Sequence, residues 1–401
     1  MATQGKKESK VSFDNTEIAF SHLTDKELDF SITMFKLMQN PTLVQVGTSL
    51  SNLALALRLP ISPIVKATVF KQFCGGVDLN ESLKKVKELS HSKIGSILDY
   101  AVEGAESEKI FDDTKEQIIE VINKAETTDG IPVACMKITG IARFALLEKV
   151  TAREPLSEKE KLEYLAAIDR FEEICKASYK TGVPIYVDAE ETWIQPAIDK
   201  LVESRMRVYN KEKAIVFQTL QMYRWDKIDH LKKLLAESKK EGWILGVKFV
   251  RGAYMEKENK RALDMGYKTP IQPNKAATDH DFDLAIKMMV ENIDHVEICN
   301  GTHNALSSMK LVNLMLEYNL ENNDRRIYFS QLKGMSDTIS FNLADAGYNV
   351  SKYLPYGPVK ATMPYLTRRA EENSAIAGQM GKELTDLLIE KERRKHQRQL
   401  K

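Results

Sequence analysis

The chain has no uninterrupted apolar stretch near the roughly 20 residues that a transmembrane helix needs, and its mean hydropathy is −0.35. Cysteine is scarce: Cys74, Cys135, Cys175 and Cys299 stand far apart, with no CxxC pair and no zinc-ligand spacing. A disulfide framework is therefore not expected, and a reducing compartment is. Net charge is almost absent, with 58 Lys and Arg against 57 Asp and Glu. Nucleic-acid binding usually leaves a basic excess, so no nucleic-acid partner is expected. The opening MATQGKKESKVSFDN lacks the apolar centre of a secretory signal. The histidines show no HExxH or similar spacing, so no metal site is expected. Neither a GxGxxG after a strand nor a Walker GxxxxGK[ST] occurs. That disfavours a Rossmann dinucleotide domain and a P-loop nucleotidase.

The 401 residues are 43% hydrophobic and 29% charged, enough to bury a large core. Residues 1 to about 15 read as a solvated tail, and Thr24 to about Ser90 read as helical, broken at Pro60, Pro63 and Gly75-Gly76. Beyond this arm, short β-branched runs alternate with longer charged helical stretches such as Ser157–Tyr179 and Trp225–Lys240. The runs are Ile94–Asp99, Val133–Ile138, Pro184–Asp188, Ala214–Leu220, Ile244–Val250, Val296–Asn300, Ile327–Leu332 and Val350–Leu354. Buried strands alternating with amphipathic helices predict a parallel sheet. Eight of them suit an α/β fold of the (β/α)8 TIM-like barrel type, with a doubly wound sheet as the alternative.

Several runs carry a late polar residue: Asp99, Lys137, Asp188, Gln218, Lys248, Gln331 and Tyr353. Any one of them is as readily a satisfied core group. Together they describe a polar mouth at the C-terminal strand ends of an apolar barrel. Lys248-Phe-Val-Arg-Gly-Ala-Tyr254 leaves a strand through Gly252, which lets the backbone approach a ligand, although a plain strand-to-helix turn would look the same. In Tyr353–Glu372, Pro364 can open a helix on which Tyr365, Arg368, Arg369 and Glu372 recur at three- and four-residue steps. Adjacent arginines usually mark a solvated face, but guanidinium groups over a barrel mouth also suit a carboxylate. Thr302-His303-Asn304 follows the sixth run, and no nucleophile motif accompanies His303 as a base.

ILDYAVEG, YVDAEETW, VFQTLQMYRWD, KFVRGAYMEKE, GTHN, QLKGM and KYLPYGPVKATMPYLTRRAEENS, in this order from about residue 90 to about 376, resemble the proline dehydrogenase family. The pattern is closer to the monofunctional form than to bifunctional proteins carrying an aldehyde dehydrogenase domain. The resemblance implies a barrel that binds FAD non-covalently and oxidises L-proline to Δ1-pyrroline-5-carboxylate, with a quinone as electron acceptor. It also implies residue roles. Arg368 and Arg369, helped by Lys137, would hold the proline carboxylate. Tyr353, Tyr365, Tyr254 and Leu332 would wall the ring, with Asp188 in the network near Tyr254. Gln218, Lys248, Arg251, Gly252, Ala253, Thr302, His303, Asn304 and Glu372 would contact the cofactor, as would Lys275 and Thr278. Glu103 would pair with Arg368 as a gate. Lys248 departs from the Arg that many bacterial members carry, and YKTPIQPNKAATD matches loosely. The bulky Tyr353 favours proline over 4-hydroxyproline.

The expected organisation is a polar tail and helical arm over 1–89, a barrel over 90–380 and a basic tail over 381–401. The cations of Lys391–Lys401 suggest a weak peripheral membrane contact. The expected location is the cytoplasm, peripheral at the inner membrane, or the mitochondrial matrix in a eukaryote. Two other classes remain open at this stage: a hydroxyproline or other cyclic-imino-acid dehydrogenase on the same scaffold, and a catalytically silent barrel acting as a scaffold.

Overall fold

A computed structural model describes residues 11–57, 60–101, 106–375 and 377–400. Eight strands form: β1 (Ile94–Tyr100), β2 (Val133–Met136), β3 (Ile185–Val187), β4 (Val216–Gln221), β5 (Leu245–Val250), β6 (Val296–Gly301), β7 (Ile327–Leu332) and β8 (Val350–Tyr356). They follow one another in sequence order around a closed barrel, which excludes the doubly wound sheet. Each expected run contains a strand because it is apolar, β-branched and bounded by turn residues. No bound moves by more than two residues, and those of β7 do not move. β2 ends at Met136, where Lys137 leads into a short 3-10 turn over Ile138–Gly140.

The chain divides into two compact units, one within 104–330 and the other within 10–103 and 331–401. In the first unit, helices alternate with β2 to β6. Glu158–Thr181 opens on a reciprocal Ser157–Glu160 capping box and ends at Gly182 with φ 71°. Both devices satisfy backbone groups that a helix end leaves unpaired. Strand alternation sorts the side chains. Tyr186 of β3 packs on Phe217 of β4 at 4.8 Å between ring centroids, and the Lys248 ammonium lies 5.7 Å from the Tyr186 ring. One residue further along each strand, Gln218 bonds Asp199 and Phe249 meets Phe282 at 6.4 Å, both on surrounding helices. Successive strand side chains take opposite faces, so these two sets cannot share one.

In the second unit, β1 pairs in parallel with β8 from Ile94↔Val350 to Tyr100↔Tyr356. Gly75-Gly76 does more than break the arm. Gly75 N–H donates to Pro355 O at 2.8 Å, and Gly357 N–H donates to Gly76 O at 3.0 Å. A Cβ on Gly76 would lie 2.5 Å from the Glu81 Cβ, so only glycine fits. Phe20, Leu28, Phe35 and Phe73 of the arm share one core with Leu366 and Leu387 of the last two helices. The arm, β1, the last residues of β7, β8 and the C-terminal helices thus fall in one compact unit.

One expectation fails here. Pro364 is not in a first turn: the helix runs Val359–Ala375, after Gly357 and Pro358, and Pro364 sits inside it on the exposed side. The basic stretch from Lys391 is helical and ion-paired. Residues up to Gln399 continue the helix Ala377–Gln399. Arg394 donates to Glu390, Asp25 and the carbonyls of Leu23 and Phe20, all between 2.7 and 3.0 Å. Lys391 pairs with Asp29, Arg393 with Glu17, and Arg398 with Asp25. Acidic residues of the arm hold these cations against the protein, which composition alone cannot reveal.

Candidate active site

In the first unit, the buried Lys248 of β5 forms an ion pair with Asp188, the residue after β3. Cys135 of β2 donates its thiol to Asp188 Oδ1 at 3.4 Å. Burial opposes the Lys248 charge, but the Asp188 carboxylate beside it wins and raises its pKa, so Lys248 is a fixed cation. Lys137, half-buried after β2, acts on Glu190. Burial pushes the Glu190 carboxyl up to about 7, against hydrogen bonds from Thr139 and the Lys137 charge. Tyr254 caps the helix Met255–Met265, with the Lys257 ammonium 5.6 Å from its ring centroid.

A second constellation surrounds Arg251. Its guanidinium donates to Asp279 Oδ1 at 2.8 Å, Thr302 Oγ at 2.5 Å and Ser307 Oγ at 3.0 Å, and lies 4.4 Å from the Phe282 ring centroid. Asn304 donates its backbone N–H to Thr302 Oγ at 3.1 Å and caps the helix Ala305–Glu317 by accepting from Ser307 N. Lys275, the first residue of the helix Lys275–Val290, pairs with Asp279. Thr278 is buried one turn in, bonded to Asn274 O at 3.4 Å. Burial opposes the Asp279 charge, yet Lys275 and Arg251 together hold its carboxyl below the usual range. Arg251, Lys275, Thr278, Thr302 and Asn304 thus come together from three separate segments around two helix N-termini, a setting that favours anions. His303 stands half-buried between Thr302 and Asn304. Gly252 has φ 125°, and a Cβ there would meet the Tyr223 ring at 2.5 Å, so the turn into Ala253 demands glycine.

Gln218 does not join these groups. Its Nε2 donates to Asp199 Oδ1 at 2.7 Å on the helix Gln195–Tyr209, with His230 Nε2 at 3.5 Å. Gln221, three residues on and therefore on the opposite face, stands at the C-terminal end of β4. Its Nε2 donates to Glu190 O at 2.7 Å, while its buried Oε1 has no partner. Thr219 Oγ, on the same face, is likewise buried without a partner. Sequence reasoning missed Gln221. Two buried glutamines in VFQTLQ look alike until the strand's facing is known; the signal was proximity to the strand's C-terminal end.

In the second unit, Tyr353 lies buried in β8, paired in register with Ile97. On the helix Val359–Ala375, Arg369 is buried with its guanidinium carbon 5.4 Å from the Tyr365 ring centroid, and Arg368 is half-buried. Leu332 is half-buried at the end of β7. Gln331 accepts from Ser340 Oγ at 2.8 Å, so it is tied to a neighbouring helix. Asp99 is buried at the end of β1. Glu103 and the Glu372 side chain lie outside the described residues.

The profile of the Proline dehydrogenase family matches residues 82–382. Proline dehydrogenase 1, mitochondrial, of Dictyostelium discoideum is 31% identical over 415 residues, covering 92% of this chain and 72% of that protein. Its human counterpart of the same name is 38% identical over 238 residues, covering 59% of this chain and 39% of that one. The carbapenem antibiotics biosynthesis protein CarD of Pectobacterium carotovorum subsp. carotovorum is 33% identical over 320 residues, covering 80% and 82%. Among solved structures, proline utilization A (PutA) from Bdellovibrio bacteriovorus inactivated by N-propargylglycine aligns with a TM-score of 0.71 at 20% identity. It covers 95% of this chain and 42% of that one, which supports the barrel itself. With a profile match over most of its length and a relative of this identity and coverage, the chain belongs to the proline dehydrogenase family.

Proposed function

We propose that the protein oxidises L-proline to Δ1-pyrroline-5-carboxylate with a non-covalently held FAD and delivers the electrons to a quinone. The residues fit the cofactor. Lys275, at the N-terminus of one helix, and Arg251, bonded to Ser307 in the first turn of another, suit a diphosphate. The buried and unpartnered Gln221 Oε1 and Thr219 Oγ suit a ligand edge that supplies donors, since a lone buried acceptor is costly. Gly252 clears the backbone turn beside Ala253. Bound FAD would supply the acceptor for the hydride that leaves proline.

The chain's own residues do the rest. Arg368 and Arg369 grip the substrate carboxylate, and the Tyr365 ring under Arg369 limits the orientations its guanidinium can take. Tyr353 and Leu332 supply apolar wall, and the bulk of the buried Tyr353 favours proline over its 4-hydroxy analogue. The fixed Lys248 cation, held by Asp188, offers a charged donor that needs no rearrangement during reaction. Lys137, Tyr254, His303 and Glu372 keep their implied roles within this proposal, and Glu103 that of the gate. Gln218 passes its implied role to Gln221. The mitochondrial names of the Dictyostelium and human relatives favour that compartment over the cytoplasm expected from the sequence.

The observation that carries this reading is the Arg251 cluster in a chain of this family. Purified protein should be yellow, its flavin absorption should bleach anaerobically on adding proline, and a quinone should restore the colour. Colourless protein that stays inert with added FAD would favour the silent scaffold instead.

A further inference from the structure

In the first unit, a buried carboxyl that the proposed function leaves unused sits among groups that the function uses. Glu190 is two residues past Asp188. Its carboxyl accepts both donors of Thr139, the backbone N–H at 3.1 Å and Oγ at 2.5 Å. Thr139 lies inside the 3-10 turn Ile138–Gly140, which closes on Lys137: Gly140 N–H donates to the Lys137 carbonyl at 3.1 Å. On the other side of Lys137, Met136 O accepts from Asp188 N–H at 2.8 Å.

The backbone that presents this carboxyl is pinned as well. Glu190 N–H donates to Gln195 Oε1 at 2.6 Å, and Glu190 O accepts from Gln221 Nε2 at 2.7 Å. Two residues on, Thr192 is gripped in the same way by the fully buried Glu258, through its N–H at 2.7 Å and its Oγ at 2.6 Å. A satisfied buried network of this kind fixes geometry, so the turn that carries Lys137 takes its place from Glu190. A protonated Glu190 keeps both bonds, its own O–H then donating to Thr139 Oγ. Protonation therefore changes the charge beside Lys137 without releasing the turn.

We propose that Glu190 is a positioning residue for substrate binding, setting the turn that carries Lys137 and, through its own charge, the pull of Lys137 on a carboxylate ligand. The inference rests on the proposed role of Lys137 beside the proline carboxylate. Burial pushes the Glu190 carboxyl up to about 7, against the bonds from Thr139 and the Lys137 charge, while Glu191 adds to the rise. The charged groups on the neighbouring segments have partners of their own. Asp188 is paired with Lys248, Glu191 with Lys257 at 3.0 Å, and Asp199, bonded to Gln195, with Lys227 at 3.3 Å. Below pH 7 Glu190 is neutral, and Lys137 meets an incoming carboxylate with its full charge. Above pH 7 Glu190 is a second anion that draws on the same ammonium. By linkage, a bound carboxylate makes Glu190 harder to ionise, so binding takes up a proton.

Calorimetric titration of the holoprotein with tetrahydrofuran-2-carboxylate is the test. This ring ether keeps the carboxylate of proline and has no amine to titrate. Wild-type Kd should rise about fivefold from pH 6 to pH 8, with proton uptake revealed by buffers of different ionisation enthalpy. Glu190→Gln keeps an acceptor for Thr139 N–H but carries no charge. Its Kd should hold the low-pH wild-type value throughout, without proton uptake. Thr139→Val keeps the charge and loosens the turn, so its Kd should be about threefold weaker at both pH values and still rise with pH. A flat wild-type Kd overturns the inference, and that result needs no variant to fold. So does a Glu190→Gln variant that keeps the wild-type rise, and a wild-type Kd in Thr139→Val overturns the positioning of the turn. Wild-type holoprotein that binds this carboxylate at neither pH is the separate result that sinks the proposed function, and the inference with it.

Discussion

In the first unit the candidate site residues form a mesh of ion pairs and hydrogen bonds, whereas in the second three of them share one helix that is seated on hydrocarbon. Arg251 has three side-chain partners and an aromatic ring beneath it, and Lys248 is locked to Asp188. Such networks carry a desolvation cost, but they fix donor positions before any ligand arrives. In the second unit, Tyr365, Arg368 and Arg369 occupy one helix, and that helix is seated by Leu366 and Met363 in the core of the arm. On the proposed function the contrast has a use. A cofactor that stays is met by a prebuilt polar frame, and a substrate that comes and goes by a few cations on a packed helix.

The largest way to break this contrast is Arg369→Met. Removing the charged partner of a desolvated carboxylate typically costs about 3–5 kcal/mol, so proline kcat/KM should fall by at least about a hundredfold. Flavin content should stay near wild type, because the first unit is untouched. A variant that kept its proline KM would take Arg369 out of substrate binding.

Glu190 tests the first unit through pH. Its carboxyl is raised to about 7 from an ordinary 4.5, first because it is buried. The folded state therefore disfavours its charge. Stability from this group is fullest below pH 4.5, declines as pH rises to about 7, and is flat above. Glu190→Gln removes the titration while keeping an acceptor for Thr139. The stability difference should shift in favour of Gln by about 2 kcal/mol between pH 5 and pH 8. Chemical denaturation at the two pH values measures it, and a pH-independent difference would mean that Glu190 is charged in the folded protein.

Tyr353→Ser asks whether the second unit also sets specificity. Loss of the ring removes apolar contact with proline and makes room for a hydroxyl. The preference for proline over 4-hydroxyproline should narrow about tenfold in competition kinetics. An unchanged ratio would place Tyr353 outside the substrate pocket.

All eight strands were legible because a buried strand needs a short β-branched run, and each run supplies one. The Arg251 neighbourhood was legible through the motifs that share it. What local sequence could not show was pairing across long separations. Asp25 and Glu17 lie far in sequence from the C-terminal arginines they bind, so the sequence showed a basic stretch but not its partners. Pro364 read as a helix start because proline favours a first turn. The glycine and proline at 357 and 358 had already opened that helix, and Pro364 sits within it.

Gln218 and Gln221 give the smallest and most discriminating prediction, because the two differ only in which way β4 turns them. Gln218 bonds Asp199, whose charge is opposed by burial and sustained mainly by Lys227, with help from Gln195 and Gln218. Gln218→Met removes one of those supports, so it should lower thermal stability by about 1 kcal/mol and leave flavin affinity unchanged. Gln221→Met removes the Nε2 bond to Glu190 O together with an acceptor that has no protein partner, so it should lower thermal stability by about as much. If a flavin group meets that acceptor, its loss should weaken FAD binding about fivefold, read by fluorescence titration of the apoprotein. The two variants should therefore share a small loss of stability and part on flavin affinity, which falls in Gln221→Met alone. Loss of flavin affinity in Gln218→Met alone would return the cofactor contact to the residue that the family resemblance first indicated, and would require β4 to face the other way.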